Sequence, residues 1–199
     1  MIPVGIFAKP PCPGLVKTRL IPDIGADKAA KVYRYCLEYT LEVARESGLE
    51  LQLYLSEIFD DELLQEEEHF MQKGPDLGTR MFNALREMLS RRNDGAIVIG
   101  SDCLDISSKH LLQAARALAD HEVVLLPAFD GGYALIGCSS IDPGLFHNVN
   151  WSSDQVLKQT LANAKKLNYR VSLLETVRDI DTLQDLEQYP ELLALIASS

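Results

Sequence analysis

Short apolar runs alternate with amphipathic segments throughout this chain, and that alternation is the feature that most restricts its fold. Residues 96–99 are all apolar, as in a strand buried on both faces of a parallel sheet. Residues 26–47 carry apolar side chains at helical spacing, and Gly48 provides a helix stop. The acidic segment 60–70 is expected to form an exposed helix. With no repeat or linker, the sequence predicts one α/β domain over residues 1–199, a mostly parallel sheet with helices on both faces.

Charge and hydropathy exclude two classes of partner. The chain has 29 acidic and 19 basic residues and a net charge of -10, whereas nucleic-acid binding requires a broad positive surface. Because no apolar run approaches the length of a bilayer span and the first residues lack a signal-peptide pattern, we expect a cytoplasmic protein without a membrane span. An anionic small molecule would need a local basic pocket and a divalent cation. The composition leaves a homodimer open.

The loop after the first predicted strand, 4–8, carries most of the local positive charge. Proline and glycine end the strand, because proline donates no ladder hydrogen bond and glycine accepts unusual backbone angles. Its candidate nucleotide- or phosphate-binding residues are Lys9, Gly14, Lys17, Thr18 and Arg19. Loops at the carboxyl ends of parallel strands hold ligands in open α/β sheets, which favours a phosphate-binding loop. A surface turn with scattered basic residues is the alternative.

Acidic residues follow two other predicted strands. Asp102 comes just after the strand 96–99, where a hard cation such as Mg²⁺ or Mn²⁺ would bridge it to phosphate oxygens. Adjacent parallel strands would place Asp102 on the same sheet edge as the basic loop, which favours this metal role over helix capping. Asp179 and Asp181 follow the last predicted strand, and Asp181 is a candidate second metal ligand. Helix capping, with Thr182 as the cap, is the role that the sequence favours for this segment.

A third candidate segment, 127–133, joins two predicted strands. The successive glycines Gly131 and Gly132 would let a ligand approach the backbone, and Tyr133 would stack on a ring or bond a hydroxyl. Asp130 is the candidate general base for an acceptor hydroxyl. A simple hairpin turn explains the same residues. Separately, the first turn of a glycine-opened helix carries Arg80, a candidate clamp on a phosphate or carboxylate.

Six motifs in order resemble a largely uncharacterised bacterial family assigned as glycosyltransferases, within the nucleotide-diphospho-sugar transferase superfamily. They lie at 7–20, 76–81, 100–103, 127–137, 151–152 and 179–182. The resemblance runs from about residue 4 to 187 and implies a GT-A-like fold. It extends more faintly to 2-phospho-lactate guanylyltransferase and the molybdenum-cofactor nucleotidyltransferases. In those enzymes the first loop holds nucleotide phosphates, the acid after the central strand holds Mg²⁺, and a Gly-Gly strand lines the second substrate. Leu104 and Tyr39 depart from the pattern, where proline and aspartate are expected.

These inferences together predict a metal-dependent transferase that moves a sugar from a nucleotide-diphospho-sugar to a small-molecule acceptor. Lys9, Lys17 and Arg19 would neutralise the diphosphate, Asp102 would bind the metal, and Asp130 would orient or deprotonate the acceptor. One alternative is nucleotidyl transfer, in which a nucleoside triphosphate and a phosphorylated acceptor release pyrophosphate. Another is nucleotide binding without catalysis. The sequence specifies neither the base, the sugar, the acceptor nor the stereochemical outcome.

Overall fold

The computed structural model describes residues 2–59, 61–64, 67–91 and 94–197. Seven strands form one sheet in the order β3-β2-β1-β4-β6-β5-β7. The strands are β1 (Pro3–Ala8), β2 (Glu50–Leu55), β3 (His69–Met71), β4 (Ala96–Ile99), β5 (Val123–Pro127), β6 (Tyr133–Cys138) and β7 (Val171–Leu173). The apolar runs that predicted the central strands are therefore β1, β4 and β5.

The helices lie between these strands. They are α1 (Ile21–Ile24), α2 (Ala26–Ser47), α3 (Leu77–Arg91), α4 (Ser108–Ala117), α5 (Val156–Lys166), α6 (Leu183–Leu186) and α7 (Pro190–Ala197). Helix α2 ends where Gly48 adopts φ 67°, a left-handed angle that glycine takes without a Cβ clash. This end matches the predicted helix stop.

The two faces of the sheet are covered by different helices. In β4, Ile97 and Ile99 belong to the core cluster that includes buried residues of α2 and α4. The alternate residue Val98 belongs to a second cluster, together with Met81 and Leu85 of α3. Strand side chains alternate between faces, so each buried strand supplies both clusters. The predicted sheet with helices on both faces is confirmed.

Two strand-level predictions need refinement. Strand β6 pairs antiparallel with both β4 and β5, so β5 and β6 form a hairpin within an otherwise parallel sheet. The exposed helix expected over 60–70 is wrong: Glu62–Leu64 form a 3₁₀ turn and β3 follows, while Asp60, Gln65 and Glu66 lie outside the described residues. Strand β3 forms because its backbone pairs in parallel with β2, and ladder hydrogen bonds outweigh a weak local helix preference.

Among the described residues, no helix combines the length and the apolar character that crossing a bilayer requires.

We predict that Ile97→Ala will destabilise the fold by about 2–5 kcal/mol, since it removes a branched side chain from a fully buried position and leaves a cavity. Urea unfolding followed by circular dichroism measures the change. Ile58→Ala is the matched control, because the Ile58 side chain is 85% exposed and its loss should change stability by no more than about 0.5 kcal/mol. Equal losses at the two positions would contradict the central placement of β4.

Candidate functional site

A cleft opens at the carboxyl edge of the sheet, where β1 and β4 lie side by side. Strand β1 lies between β2 and β4, and the chain leaves β1 towards β2, away from β4. The loops that follow β1 and β4 therefore diverge and leave a crevice between them. Two cavities of about 450 and 530 Å³ occupy the crevice and share Arg19, Asp102 and Asp181 in their linings. They therefore form one cleft with two lobes.

The larger cavity is here named the basic lobe, after the cations that line it: Lys9, Lys17, Arg19 and Arg80. Thr18 also lines it, whereas Gly14 lies in the preceding turn at φ 86° and does not. The guanidinium of Arg80 donates to the Gly74 carbonyl at 3.0 Å, which holds this side chain at the lobe. The sequence-predicted phosphate-binding residues thus converge, except for Gly14.

Lys17 is predicted from the sequence to neutralise a phosphate, and the structure places its side chain among protein oxygens. Its side chain is only 2% exposed, and its ammonium lies 2.7 Å from a carboxylate oxygen of Asp102 and 3.9 Å from one of Asp181. It also donates a hydrogen bond to the Ile180 carbonyl. Burial by itself lowers the pKa of Lys17, but the charge and hydrogen bond of Asp102, together with Asp181 and other nearby groups, outweigh burial and hold the pKa above its ordinary value. The ammonium of Lys17 therefore already has protein oxygen atoms as its partners.

A chain of hydrogen bonds that sequence reasoning missed fixes the floor of the basic lobe. The hydroxyl of Ser101 donates to the Phe7 carbonyl at 3.1 Å, which leaves its oxygen to accept from the Tyr33 hydroxyl at 3.0 Å. The Tyr33 oxygen in turn accepts the Lys9 backbone N–H at 2.8 Å. Burial and the nearby Asp102 charge raise the pKa of Tyr33 to about 12, so it remains a donor. Helix α2 thereby ties the loops after β1 and β4 together, although only helical spacing marks Tyr33 in the sequence.

The smaller cavity is here named the acidic lobe. Asp130, Asp179 and Asp181 each place a carboxylate oxygen so that all three lie within 4.8 Å of one another. Burial and the charge of Asp130 raise the pKa of Asp179 to about 6. This grouping contains Asp181, Asp130 and Asp179 but not Asp102, the metal ligand that the sequence predicted, whose carboxylate pairs with Lys17 instead. The spacing of two acids around Ile180 was the sequence signal that could have placed Asp179 in this group.

The β5–β6 hairpin turn presents Asp130. Its carboxylate accepts the Gly132 backbone N–H at 2.7 Å, which fixes the side chain in a local turn. Gly131 has φ 88°, and a Cβ there would collide with the backbone of Asp154. Glycine is thus required at position 131 because the Asp154 backbone packs against it, and not because a ligand does. Of the two glycines, only Gly132 lines the lobe. The hairpin interpretation of this segment is confirmed, and Asp130 and Gly132 of the turn line the acidic lobe.

Tyr133 lines the acidic lobe, but its hydroxyl is buried and is not available to bond a ligand. The hydroxyl oxygen is buried, beside Thr160 of α5, and burial raises the pKa of Tyr133 far above its ordinary range. Of the two contacts predicted for Tyr133, stacking of its ring remains open to a ligand, whereas a bond from its hydroxyl does not.

Trp151 supplies a further apolar wall. It packs against Gly78 of α3 so closely that a Cβ there would lie 2.5 Å from the indole ring, and it also lines the acidic lobe. The glycine that opens α3 therefore makes room for the indole.

Residues 40–153, more than half of the chain, match the family described as "Uncharacterized protein conserved in bacteria (DUF2064)". The chain is similar to a "putative nucleotide-diphospho-sugar transferase" from Desulfovibrio desulfuricans G20, at 28% identity and TM-score 0.89, over 100% of this chain and 98% of that one. No curated protein matches the chain.

Two further solved structures share the fold at lower identity. One is 4-diphosphocytidyl-2C-methyl-D-erythritol synthase from Anaerococcus prevotii DSM 20548, with TM-score 0.57, 11% identity, and coverage of 99% of this chain and 95% of that one. The other is Rv0371c from Mycobacterium tuberculosis H37Rv in complex with manganese, with TM-score 0.51, 18% identity, and coverage of 98% and 99%. The predicted nucleotide-diphospho-sugar transferase fold is confirmed.

We predict that Asp179→Asn will raise the melting temperature at pH 8 without divalent metal. A carboxyl whose pKa is about 6 when folded, against an ordinary 3.8, binds its proton more tightly in the folded state, so stability falls as pH rises from 4 to 6 and stays lower above. The neutral amide removes this effect. The expected gain at pH 8 is about 2–4 °C, the shift that 1 kcal/mol gives in a chain of this size. It should shrink as pH falls towards 4.

Asp185→Asn is the control of opposite sign. Burial alone would raise the pKa of Asp185, but hydrogen bonds from Thr182, Asp181 and Arg178 together outweigh it and hold the pKa below its ordinary value. Such a carboxylate stabilises the fold above its unfolded pKa, and this contribution is lost as pH falls through the folded pKa. Asp185→Asn should therefore lower the melting temperature at pH 8. A fall with both variants would contradict the crowding assigned to Asp179.

Proposed function

This chain belongs to the DUF2064 family of bacterial proteins, and on that premise we propose that it is a transferase acting on a nucleotide-activated donor. The first candidate donor is a nucleotide-diphospho-sugar. The observation that carries the proposal is the single cleft in which a basic lobe adjoins an acidic lobe. The similar protein from Desulfovibrio desulfuricans, which is described by that activity, supports it along the whole chain.

The basic lobe would hold the diphosphate of the donor. Lys9 and Arg19 are exposed cations on the loop after β1, and Arg80 faces them from the first turn of α3. Arg19 pairs with Asp181 at 2.8 Å, and its side chain is 60% exposed, so a phosphate can reach it. Cations fixed before the reaction stabilise the negative charge that develops on a leaving diphosphate.

The acidic lobe fits a divalent cation such as Mg²⁺ or Mn²⁺. Carboxylate oxygens are the ligands these ions prefer, and Asp130, Asp179 and Asp181 bring three of them together. Burial, and after it the charge of Asp130, raise the pKa of Asp179, so a positive ion here would relieve repulsion between these carboxylates. These three residues would hold the ion, with Asp102 beside them. When bound, the ion would supply positive charge to the donor diphosphate. The manganese complex of Rv0371c, a protein of the same fold, is consistent with such an ion.

The acceptor would enter the acidic lobe against the Tyr133 ring and Trp151. Asp130, fixed by its hydrogen bond from Gly132, would orient the acceptor hydroxyl and take its proton. The acceptor oxygen would then bond to the anomeric carbon as the bond from that carbon to the diphosphate oxygen breaks. The products are the glycosylated acceptor and a nucleoside diphosphate.

Nucleotidyl transfer is the second candidate. The observation that favours it is the concentration of cations around the basic lobe, which suits a triphosphate. In this reaction a phosphorylated acceptor would attack the α-phosphorus and release pyrophosphate. Product analysis separates the candidates: nucleoside diphosphate indicates glycosyl transfer, and pyrophosphate indicates nucleotidyl transfer. Binding with no turnover of any donor would leave only a nucleotide-binding protein.

We predict a metal-dependent rise in melting temperature with one class of donor, measured over nucleoside triphosphates, diphosphates and nucleotide sugars with and without Mn²⁺. A ligand at a hundredfold excess over its dissociation constant adds about 2.7 kcal/mol, which corresponds to roughly 5–10 °C in a chain of this size. Asp181→Asn should abolish the Mn²⁺-dependent part. Asp120→Asn is the matched control, because this exposed aspartate follows α4 at the opposite sheet edge. No shift with any nucleotide would contradict the proposal.

A further inference from the structure

Lys17 combines two features that seldom occur together. Lysine is among the residues least often buried, yet this side chain is 2% exposed. Its backbone adopts φ 46°, a left-handed angle that is uncommon in residues other than glycine. Leu20 closes the loop behind it by donating its backbone N–H to the Lys17 carbonyl at 2.9 Å. The loop thus holds a sparsely populated backbone conformation, and in it the ammonium lies under the cleft surface.

The partners of the ammonium are all oxygen atoms from two other segments. Asp102 follows β4, whereas Ile180 and Asp181 belong to the segment after β7. An ammonium has three N–H donors, and here it faces two carboxylates and one carbonyl. A small hard cation takes the same kind of ligand set. The ammonium therefore has oxygen neighbours of the kind that a small hard cation takes.

The two segments are also joined without Lys17. The Ile180 backbone N–H donates to the Asp102 carbonyl at 3.1 Å, and the Arg178 backbone N–H donates to the Asp105 carboxylate at 3.0 Å. These bonds fix the backbones at a separation that brings the carboxylates of Asp102 and Asp181 to one ammonium. Like charges so placed repel each other unless a cation lies between them.

We propose that Lys17 is a built-in cation that holds the Asp102 and Asp181 carboxylates together in place of a second metal ion, and so acts as a positioning residue. The proposal rests on the proposed function only for the identity of the metal that binds nearby. Asp181 has a second role in it, because this carboxylate also belongs to the acidic lobe. Asp181 thus faces the Lys17 ammonium on one side and the carboxylates of Asp130 and Asp179 on the other.

Removal of the ammonium should turn the Asp102–Asp181 pair into a metal site. Lys17→Met keeps an unbranched side chain of similar length but removes the charge. The variant should bind one more Mn²⁺ than the unmodified chain, or bind Mn²⁺ about tenfold more tightly. Its melting temperature should fall without Mn²⁺ and recover when Mn²⁺ is added. A direct phosphate ligand would behave differently, since its loss weakens nucleotide binding and adds no metal.

The experiment counts Mn²⁺ by electron paramagnetic resonance, without nucleotide, in four proteins: the unmodified chain, Lys17→Met, Lys9→Met and Lys31→Met. Lys9 is the exposed cation of the same loop, and Lys31 is exposed on α2 away from the cleft. All three variants lose one positive charge, so a general electrostatic effect would raise Mn²⁺ binding equally. Only Lys17→Met should gain Mn²⁺. If that variant does not fold, Lys17→Gln takes its place, because the amide still donates to the Ile180 carbonyl.

The outcomes separate this inference from the proposed function. Mn²⁺ binding by the unmodified chain tests the metal in the proposed function, whereas the difference between Lys17→Met and that chain tests the built-in cation. A gain confined to the Lys17 variant supports the inference even if the unmodified chain binds none. An unchanged count and affinity in the Lys17 variant, or an equal gain in all three variants, overturns it.

Discussion

The parallel pairing of β1 with β4 at the middle of the sheet is the constraint on which the cleft depends. Val4, Gly5 and Ile6 pair with Ile97, Val98 and Ile99, so both strands end at the same edge. The loops that follow must then diverge, because the chain continues to β2 on one side and towards β6 on the other. A crevice at this edge is a consequence of strand order, and it would exist whatever residues lined it.

The antiparallel strand β6 adds the second half of the site. Had β6 been parallel, its amino end would lie at the far edge and a long crossover would replace the tight turn. As an antiparallel partner of β5 it instead turns at the carboxyl edge, which places Asp130 beside the loop after β4. The segment after β7 reaches the same edge through the bridge between Ala128 and Val177. Four segments distant in sequence thus deliver their polar side chains to one cleft.

The sequence predicted the location of the site better than the state of its side chains. Apolar runs ending in glycine or proline identified the strands, and the sheet-edge rule then placed Lys17, Asp102 and Asp130 near one another. The burial of Lys17 could not be predicted in this way, because its partner Ile180 is 163 residues away in the chain. Whether a cation faces solvent or protein oxygens depends on such tertiary packing. The direction of β6 was likewise undetermined, since an apolar run carries no signal of parallel or antiparallel pairing.

Lys17 and Arg19 lie two residues apart and share Asp181, yet their ion pairs have different consequences. The Arg19 pair is exposed, and such pairs contribute about 0–1 kcal/mol because water and salt screen them. Under the proposed function, a donor phosphate would therefore displace Asp181 from Arg19 with little loss. The Lys17 ammonium is buried, so breaking its pair with the half-exposed Asp102 carboxylate would leave a charge that water cannot reach. One loop therefore presents an exchangeable cation to the cleft and keeps a fixed cation beneath it. Because Asp181 contacts both, an anion that takes Arg19 in the basic lobe frees a carboxylate oxygen at the border of the acidic lobe.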